Sequence, residues 1–230
     1  MVVAQAIHRQ PMTASLTRNS ILDAAEERFS AVGFNAASLR SISSCAQVNL
    51  GSVQYHFGSK TGLIRSVFSR RLRPINIERL GLLDALRNAP VAPRLEHILA
   101  AYIEPGISAS RDPSRGGGRF VRLLGRTLTD PQPELKQILS DEYRNVIHRF
   151  SLALADVLPN LDHQALRLRM HFMIGSVAYA MAAQDQLDVL TEDLLTEISA
   201  DRITRELVGF VAAGMRSEPS GLRHAFDPMP

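Results

Sequence analysis

The sequence predicts an all-α protein: a three-helix helix-turn-helix domain followed by a C-terminal helical bundle. Three observations carry that expectation. Apolar residues recur at spacings of three and four along most of the chain, which is the helical period. Residues 38–60 hold two short apolar patterns, each preceded by a capping residue. Strand signals are scarce, no tryptophan occurs, and proline and glycine mostly punctuate segments, as suits a helical protein. At 230 residues the chain can build a core of ordinary size without covalent staples.

The elements follow in order. Residues 1–14 lack apolar periodicity and read as a disordered arm, in which His8 and Arg9 offer a weak phosphate contact. Ile21, Leu22, Ala25, Phe29 and Val32 share one face of a helix over about 17–32, and Gly33 follows as its cap. Ser38 is a good N-cap for a short helix with Leu39, Ile42 and Ala46 on one side. Val48 anchors the turn, and Asn49 caps a second short helix that turns Val53 and Phe57 inward.

Facing outward on that second helix are Leu50, Gly51, Ser52, Gln54 and Tyr55, side chains without the negative charge that would exclude them from a major groove. Gly58 closes the helix and Ser59 caps the next. Lys60 then occupies a first turn, where the helix dipole disfavours a cation unless an anion such as a phosphate is near. Leu63, Ile64, Val67, Phe68 and Leu72 make one stripe of a linking helix, placed at 61–80, which Pro74 is expected to break or kink. The arginines Arg65, Arg70, Arg71 and Arg73 along it read equally as a solvated face and as a cationic patch near DNA.

Beyond Asn88-Ala89-Pro90 the pattern stays helical over about 93–110, 118–129, 133–158, 162–184 and 191–216. Long helices joined by short loops form a bundle, here assigned to 81–216, with a frayed tail at 217–230. The stretch Arg111 to Gly118 is glycine-rich, yet it has neither the Gly-Lys-Ser/Thr ending nor the preceding strand of a phosphate loop, so it reads as a mobile connector. Met170 to Ala183 is apolar nearly all round and is expected to be buried on several sides. The last helix carries Leu194, Ile198, Ile203, Leu207, Val211 and Met215 as one stripe. Together these two helices can build a two-fold four-helix interface, hence a homodimer.

Composition bounds the chemistry. A net charge of +3 and a pI near 9.4 permit nucleic-acid binding without requiring it. The single Cys45 excludes an internal disulfide framework and fits a reducing compartment. Neither a signal peptide nor a membrane span is evident, so a cytoplasmic location is expected. No metal-binding His pair, nucleophile elbow or paired carboxylate is found, so neither an enzyme nor a cofactor or metal is expected. The scattered histidines read as surface or bundle residues, with His171 singled out for its apolar helix.

The run Val48 to Lys60, with Gly33-Phe34 and Ser38-Leu39-Arg40-Ser41-Ile42 upstream, resembles the DNA-binding domain of the TetR family over residues 17–72. The resemblance implies that Leu50, Gly51, Ser52 and Gln54 approach base edges of a palindromic double-stranded operator. It implies phosphate contacts for Ser38, Tyr55, His56 and Lys60, and dimerisation through the last two helices. One departure is visible: the family usually has glycine in the inter-helix turn where this chain has Gln47, which would force a left-handed conformation costing about 1 kcal/mol.

Arg119 to Gly125, Met170 to Gly175 and Phe210 to Arg216 are further similar to fatty-acid-responsive members of that family. This similarity implies a repressor released by a small apolar effector, a long-chain fatty acid or acyl-CoA. Tyr102, Phe120, Leu123, Leu124, Phe150, His171 and Ile174 would line the ligand site, and Arg119 or Arg122 would neutralise the acidic head. Two rival readings are a sensor of multiple drugs or aromatic compounds, which a methionine-rich pocket would also serve, and a helical protein-interaction module.

Overall fold

The computed structural model describes residues 14–129, 133–182 and 198–218, which hold nine α-helices and one 3-10 turn. The chain divides into two compact units, Met1–Ser69 and Arg70–Pro230.

In the first unit α1 (Ala14–Ala36), α2 (Leu39–Cys45) and α3 (Leu50–Phe57) pack on one another. Ile21, Leu22, Phe29, Phe34, Ile42, Val53 and Phe57 fill the centre with Leu63, Val67 and Phe68 from the start of α4 (Lys60–Arg87). Phe34 stands between Phe29 and Phe68, with ring centroids 5.4 Å and 6.0 Å away. Gly33 leaves the helical region at φ 82°, ψ 170°, so the regular part of α1 stops at Val32 as its cap predicts. Val32 itself is 40% exposed and lies outside the core.

The boundary between the units falls inside α4, which runs unbroken through Pro74 to Arg87. The expectation that Pro74 ends or kinks the linking helix is corrected in its first half: the helix continues, because losing one N–H is tolerated when flanking turns are held by packing. Those turns are held by Leu72 and Ile75 in the core, and by an ion pair of Arg73 with Glu142 at 3.6 Å. Arg71 lies against the backbone at Gly116. Arg71 and Arg73 are therefore engaged within the second unit.

That unit continues with α5 (Leu95–Arg111), the turn Pro113–Arg115, α6 (Gly117–Thr129), α7 (Pro133–Val157), α8 (His163–Ala182) and α9 (Ala200–Arg216). Helix α5 is central: it packs most extensively on α9 and also touches α6, α7 and α8. The glycine-rich connector, expected to be mobile, is folded here as a hydrogen-bonded turn. Asp112 Oδ1 accepts from the Ser114 N–H at 2.8 Å and its hydroxyl at 2.7 Å. Gly116 and Gly117 supply positive φ (98° and 40°), and Arg115 pairs with Glu78 at 2.8 Å.

Helix α8 is capped by Asp162, which accepts from Gln164 and Ala165 at 2.9 Å. Only one stripe of it is buried: Leu166, Met170, Met173, Val177 and Met181. Leu168, Phe172 and Tyr179 stay 53–59% exposed, so burial on several sides does not hold within a single chain. On α9 the buried stripe is Thr204, Val208, Val211, Ala212 and Met215, with Ile203 and Leu207 half-buried beside it. Leu194, the arm before Ala14 and the tail from residue 219 lie outside the described residues.

Candidate nucleic-acid interface and effector region

Helices α2 and α3 are positioned by their ends. A reciprocal capping box closes α2, with Ser41 N–H donating to Ser38 Oγ at 3.0 Å and Ser38 N–H to Ser41 Oγ at 3.2 Å. Between the helices Val48 N–H donates to Ser43 O at 3.0 Å and Gln47 N–H to Ser44 O at 3.1 Å, the paired bonds of a Schellman turn whose left-handed position is Gln47 at φ 55°. The family departure at that residue is thus a real left-handed glutamine. Asn49 Oδ1 caps α3, accepting from the Ser52 N–H at 2.7 Å and hydroxyl at 3.0 Å.

With Val53 and Phe57 inward, α3 presents Gly51, Gln54 and Tyr55 fully outward, and Leu50, Ser52 and His56 half-buried beside them. Tyr55 is 85% exposed, and its ring sits edge-on to His56 at 5.1 Å. Ser38 is exposed, and Lys60, half-buried, donates from Nζ to Asn35 O at 3.1 Å. That carbonyl gives the lysine a neutral anchor in a first turn and holds its charge on this surface. Ser59 Oγ caps α4 as expected, accepting from Gly62 N–H at 3.0 Å. Two features escaped sequence reasoning. A side chain at Gly62 would overlap the Phe57 carbonyl oxygen. The Arg18 guanidinium stands 5.3 Å over the Phe57 ring.

Among the expected ligand residues, Tyr102, Phe120, Leu123 and Phe150 are buried in the core of the second unit, with Tyr102 and Phe150 T-stacked at 5.2 Å. Leu124 and Ile174 are half-buried, and His171 is exposed. Arg119 and Arg122 face solvent and do not join the others. Helix α6 turns Gly117, Phe120, Val121 and Leu123 inward, and its pitch then sends 119 and 122 to the opposite side.

The interior arginine is Arg79 on α4, 3% exposed. Its Nε donates to the Tyr102 carbonyl at 2.7 Å and its Nη1 to Asn76 Oδ1 at 3.3 Å. The guanidinium lies 4.1 Å from the Tyr102 ring centroid. Burial pushes the Tyr102 hydroxyl up to about 12, partly offset by Arg79. The Tyr143 hydroxyl is raised by burial and pulled back by the same guanidinium. An open groove of about 510 Å³ between α7 and α8 is lined by Tyr143, Arg144, His148, Arg167, Met170, His171 and Ile174 among others.

Among the described residues no cluster of His, Cys, Asp or Glu could hold a metal, and no helix is long and apolar enough to cross a membrane. Cys45 is exposed and unpaired with any other cysteine.

Known folds and families match this arrangement in both units. Residues 21–67 match the model of bacterial regulatory proteins of the tetR family, and residues 100–214 match that of the tetracyclin repressor-like C-terminal domain. Among curated protein sequences there is no significant match. Among solved structures, the fatty acid degradation regulator FadR from Bacillus halodurans is similar at a TM-score of 0.64 and 14% identity, covering 88% of this chain and 97% of that one. FadR from Bacillus subtilis in complex with stearoyl-CoA gives 0.62 and 14%, covering 85% and 98%. A TetR-family regulator from Bordetella parapertussis 12822 gives 0.61 and 14%, covering 84% and 93%. At such identities the likeness speaks for the fold alone. With both family models matched, and one of them spanning half its length, the chain belongs to the TetR family of DNA-binding transcriptional regulators.

Proposed function

We propose that the protein is a homodimeric, effector-responsive repressor acting in the cytoplasm on a palindromic operator, and that its effector is a long-chain fatty acid or the corresponding acyl-CoA. The observation that carries the DNA part is α3, capped by Asn49 and anchored by Val53 and Phe57, with Tyr55 and Gln54 bare on its outer face. In this reading Leu50, Gly51, Ser52 and Gln54 meet base edges, and Ser38, Tyr55, His56 and Lys60 hold phosphates. Phosphate contacts position the helix, and amide and small side chains read the bases.

Dimerisation is supported by the bare apolar face of α8 and α9, where Phe172, Tyr179 and Phe210 are 55–70% exposed. Two copies meeting there would cover these rings about a two-fold axis, and two recognition helices would then occupy successive major grooves. The acyl effector is suggested by the FadR structures and by the aromatic and aliphatic interior around Tyr102, Phe120, Leu123 and Phe150. An effector of this kind lowers operator affinity only to the extent that it binds the non-binding conformation more tightly.

The test is a mobility shift with purified protein on DNA upstream of its own gene, with long-chain fatty acids, their CoA thioesters and planar aromatic compounds. Release by one acyl class supports the reading. Release only by aromatic compounds replaces the effector, and absence of any salt-sensitive shift removes the operator role.

A further inference from the structure

Arg79 is a cation enclosed in the bundle whose partners among the described residues are neutral. Its hydrogen bonds run to a backbone carbonyl and a side-chain amide, and its flat face rests on the Tyr102 ring. The acids around it are committed elsewhere: Glu142 to Arg73, Glu78 to Arg115 and Asp84 to Arg149. No described carboxylate pairs with Arg79. A guanidinium keeps its charge in a protein interior, and enclosing it without a counter-charge opposes folding unless something is gained.

The surroundings indicate what is gained. One end of the guanidinium, Nη2, lies 3.0 Å from where a Cβ of Gly106 would stand, with Met181 Sδ and Val177 Cγ1 around the same point. The absence of a side chain at 106 therefore makes room for the cation between α5 and α8. On another side stands the half-buried Tyr143, whose hydroxyl is within electrostatic reach of Arg79. The same tyrosine lines the α7–α8 groove, whose rim carries Arg167 and Arg144, the latter paired with Asp141 at 3.1 Å. Tyr143 thus stands between an open groove and a cation that no described carboxylate neutralises.

We propose that Arg79 is the anion-binding residue of the effector site, taking the carboxylate of an amphiphilic monoanion that enters through the α7–α8 groove past Tyr143. This rests on the acyl-effector reading and goes beyond it by choosing the free carboxylate over the thioester. The planar fork of arginine suits a two-oxygen head. The tail would then lie against Tyr102, Phe150 and the methionine-bearing stripe of α8, displacing side chains that now fill the core.

Calorimetric titration of the full-length protein with dodecanoate, 1-dodecanol and dodecanoyl-CoA tests this. Dodecanoate is expected to bind about 10- to 100-fold more tightly than the alcohol. Arg79→Met should erase that ratio, and Arg79→Lys should keep part of it, with retained operator shift and helical circular dichroism as folding checks. A wild-type protein that does not distinguish acid from alcohol overturns the proposal even if the variants fail to fold. So does a carboxylate preference that survives Arg79→Met. Dodecanoyl-CoA binding that exceeds dodecanoate and ignores Arg79→Met would move the anion contact to phosphates in the groove. If none of the three binds, and hexadecanoate and hexadecanoyl-CoA do not bind either while the operator shift is intact, the acyl-effector reading itself falls.

Discussion

Replacing Gln47 with glycine should stabilise the protein, and the size of the effect follows from the backbone. Gln47 is the one non-glycine residue with positive φ among those described, at 55°. Two hydrogen bonds, from its own N–H to Ser44 O and from Val48 N–H to Ser43 O, require that conformation, so the residue cannot relax out of it while the turn exists. For an L-residue the left-handed region costs about 1–2 kcal/mol. Glycine removes this cost but returns about 0.5–1 kcal/mol to the unfolded chain as added freedom. The net gain expected is about 0.5–1 kcal/mol. Gln47→Ala keeps the strained φ, so it should not gain and serves as the reference. Urea unfolding followed by circular dichroism, with equal m-values required, gives the comparison. In a chain of this length the difference corresponds to about 1–4 °C in Tm. If Gln47→Gly proves no more stable than Gln47→Ala, the argument from turn strain is wrong.

Four further outcomes can be checked. Asn49→Ala should cost about 1 kcal/mol through loss of the α3 cap, read as weakened protection of the Ser52 amide in hydrogen exchange; unchanged protection would show the cap to be idle. Gly62→Ala should cost about 2 kcal/mol or more, because the new Cβ meets a backbone oxygen that cannot rotate away, and an unaltered melting temperature would contradict the geometry. Lys60→Met should reduce the slope of log affinity against log salt for operator DNA by about 0.9, whereas an unchanged slope would leave the lysine only its bond to Asn35. The Glu96 carboxyl is held at about 2, chiefly by its hydrogen bond to Arg216. A depressed acid stabilises the fold above its ordinary value and stops doing so as pH falls through its folded value. Glu96→Gln should therefore melt below the wild type at pH 7, the gap closing between about pH 4.5 and 2; a gap independent of pH would assign it to packing.

The first unit was legible because its signals are local. Ser38, Asn49 and Gly58 act within three or four residues of themselves, so the caps and helix limits follow from composition and spacing alone. The left-handed Gln47 could be anticipated only through the resemblance to the TetR family, which usually has glycine in that turn. Gly62 and the Arg18–Phe57 contact could not, since each depends on how close two separated backbone segments come. The continuity of α4 through Pro74 is a case of packing overriding a local rule: Leu72 and Ile75 flank the proline in the core and keep the helix whole.

The second unit shows why charge inside a bundle is hard to place from sequence. Arg119 and Arg122 adjoin Phe120 and Leu123, and adjacency suggested a shared site. On a helix, however, neighbours in sequence lie about 100° apart, and the inward positions 120 and 123 turn 119 and 122 to water. Arg79 sits between Glu78 and Leu80 in an arginine-bearing helix and carries no local mark of burial; its place in the core appears only when α5 and α8 close over it. The same logic explains α8. An apolar circumference predicts burial all round, yet one chain buries only the Leu166–Met181 stripe and leaves Leu168, Phe172 and Tyr179 bare. Aromatic side chains bury about 150–250 Å² each when covered. Phe172, Tyr179 and Phe210, 55–70% exposed, supply about 550–900 Å² on the two sides of a two-fold axis, about half of a standard interface, so the proposed dimer draws also on the surface around them. The surplus apolarity of α8 is the sequence feature that the proposed dimer would account for.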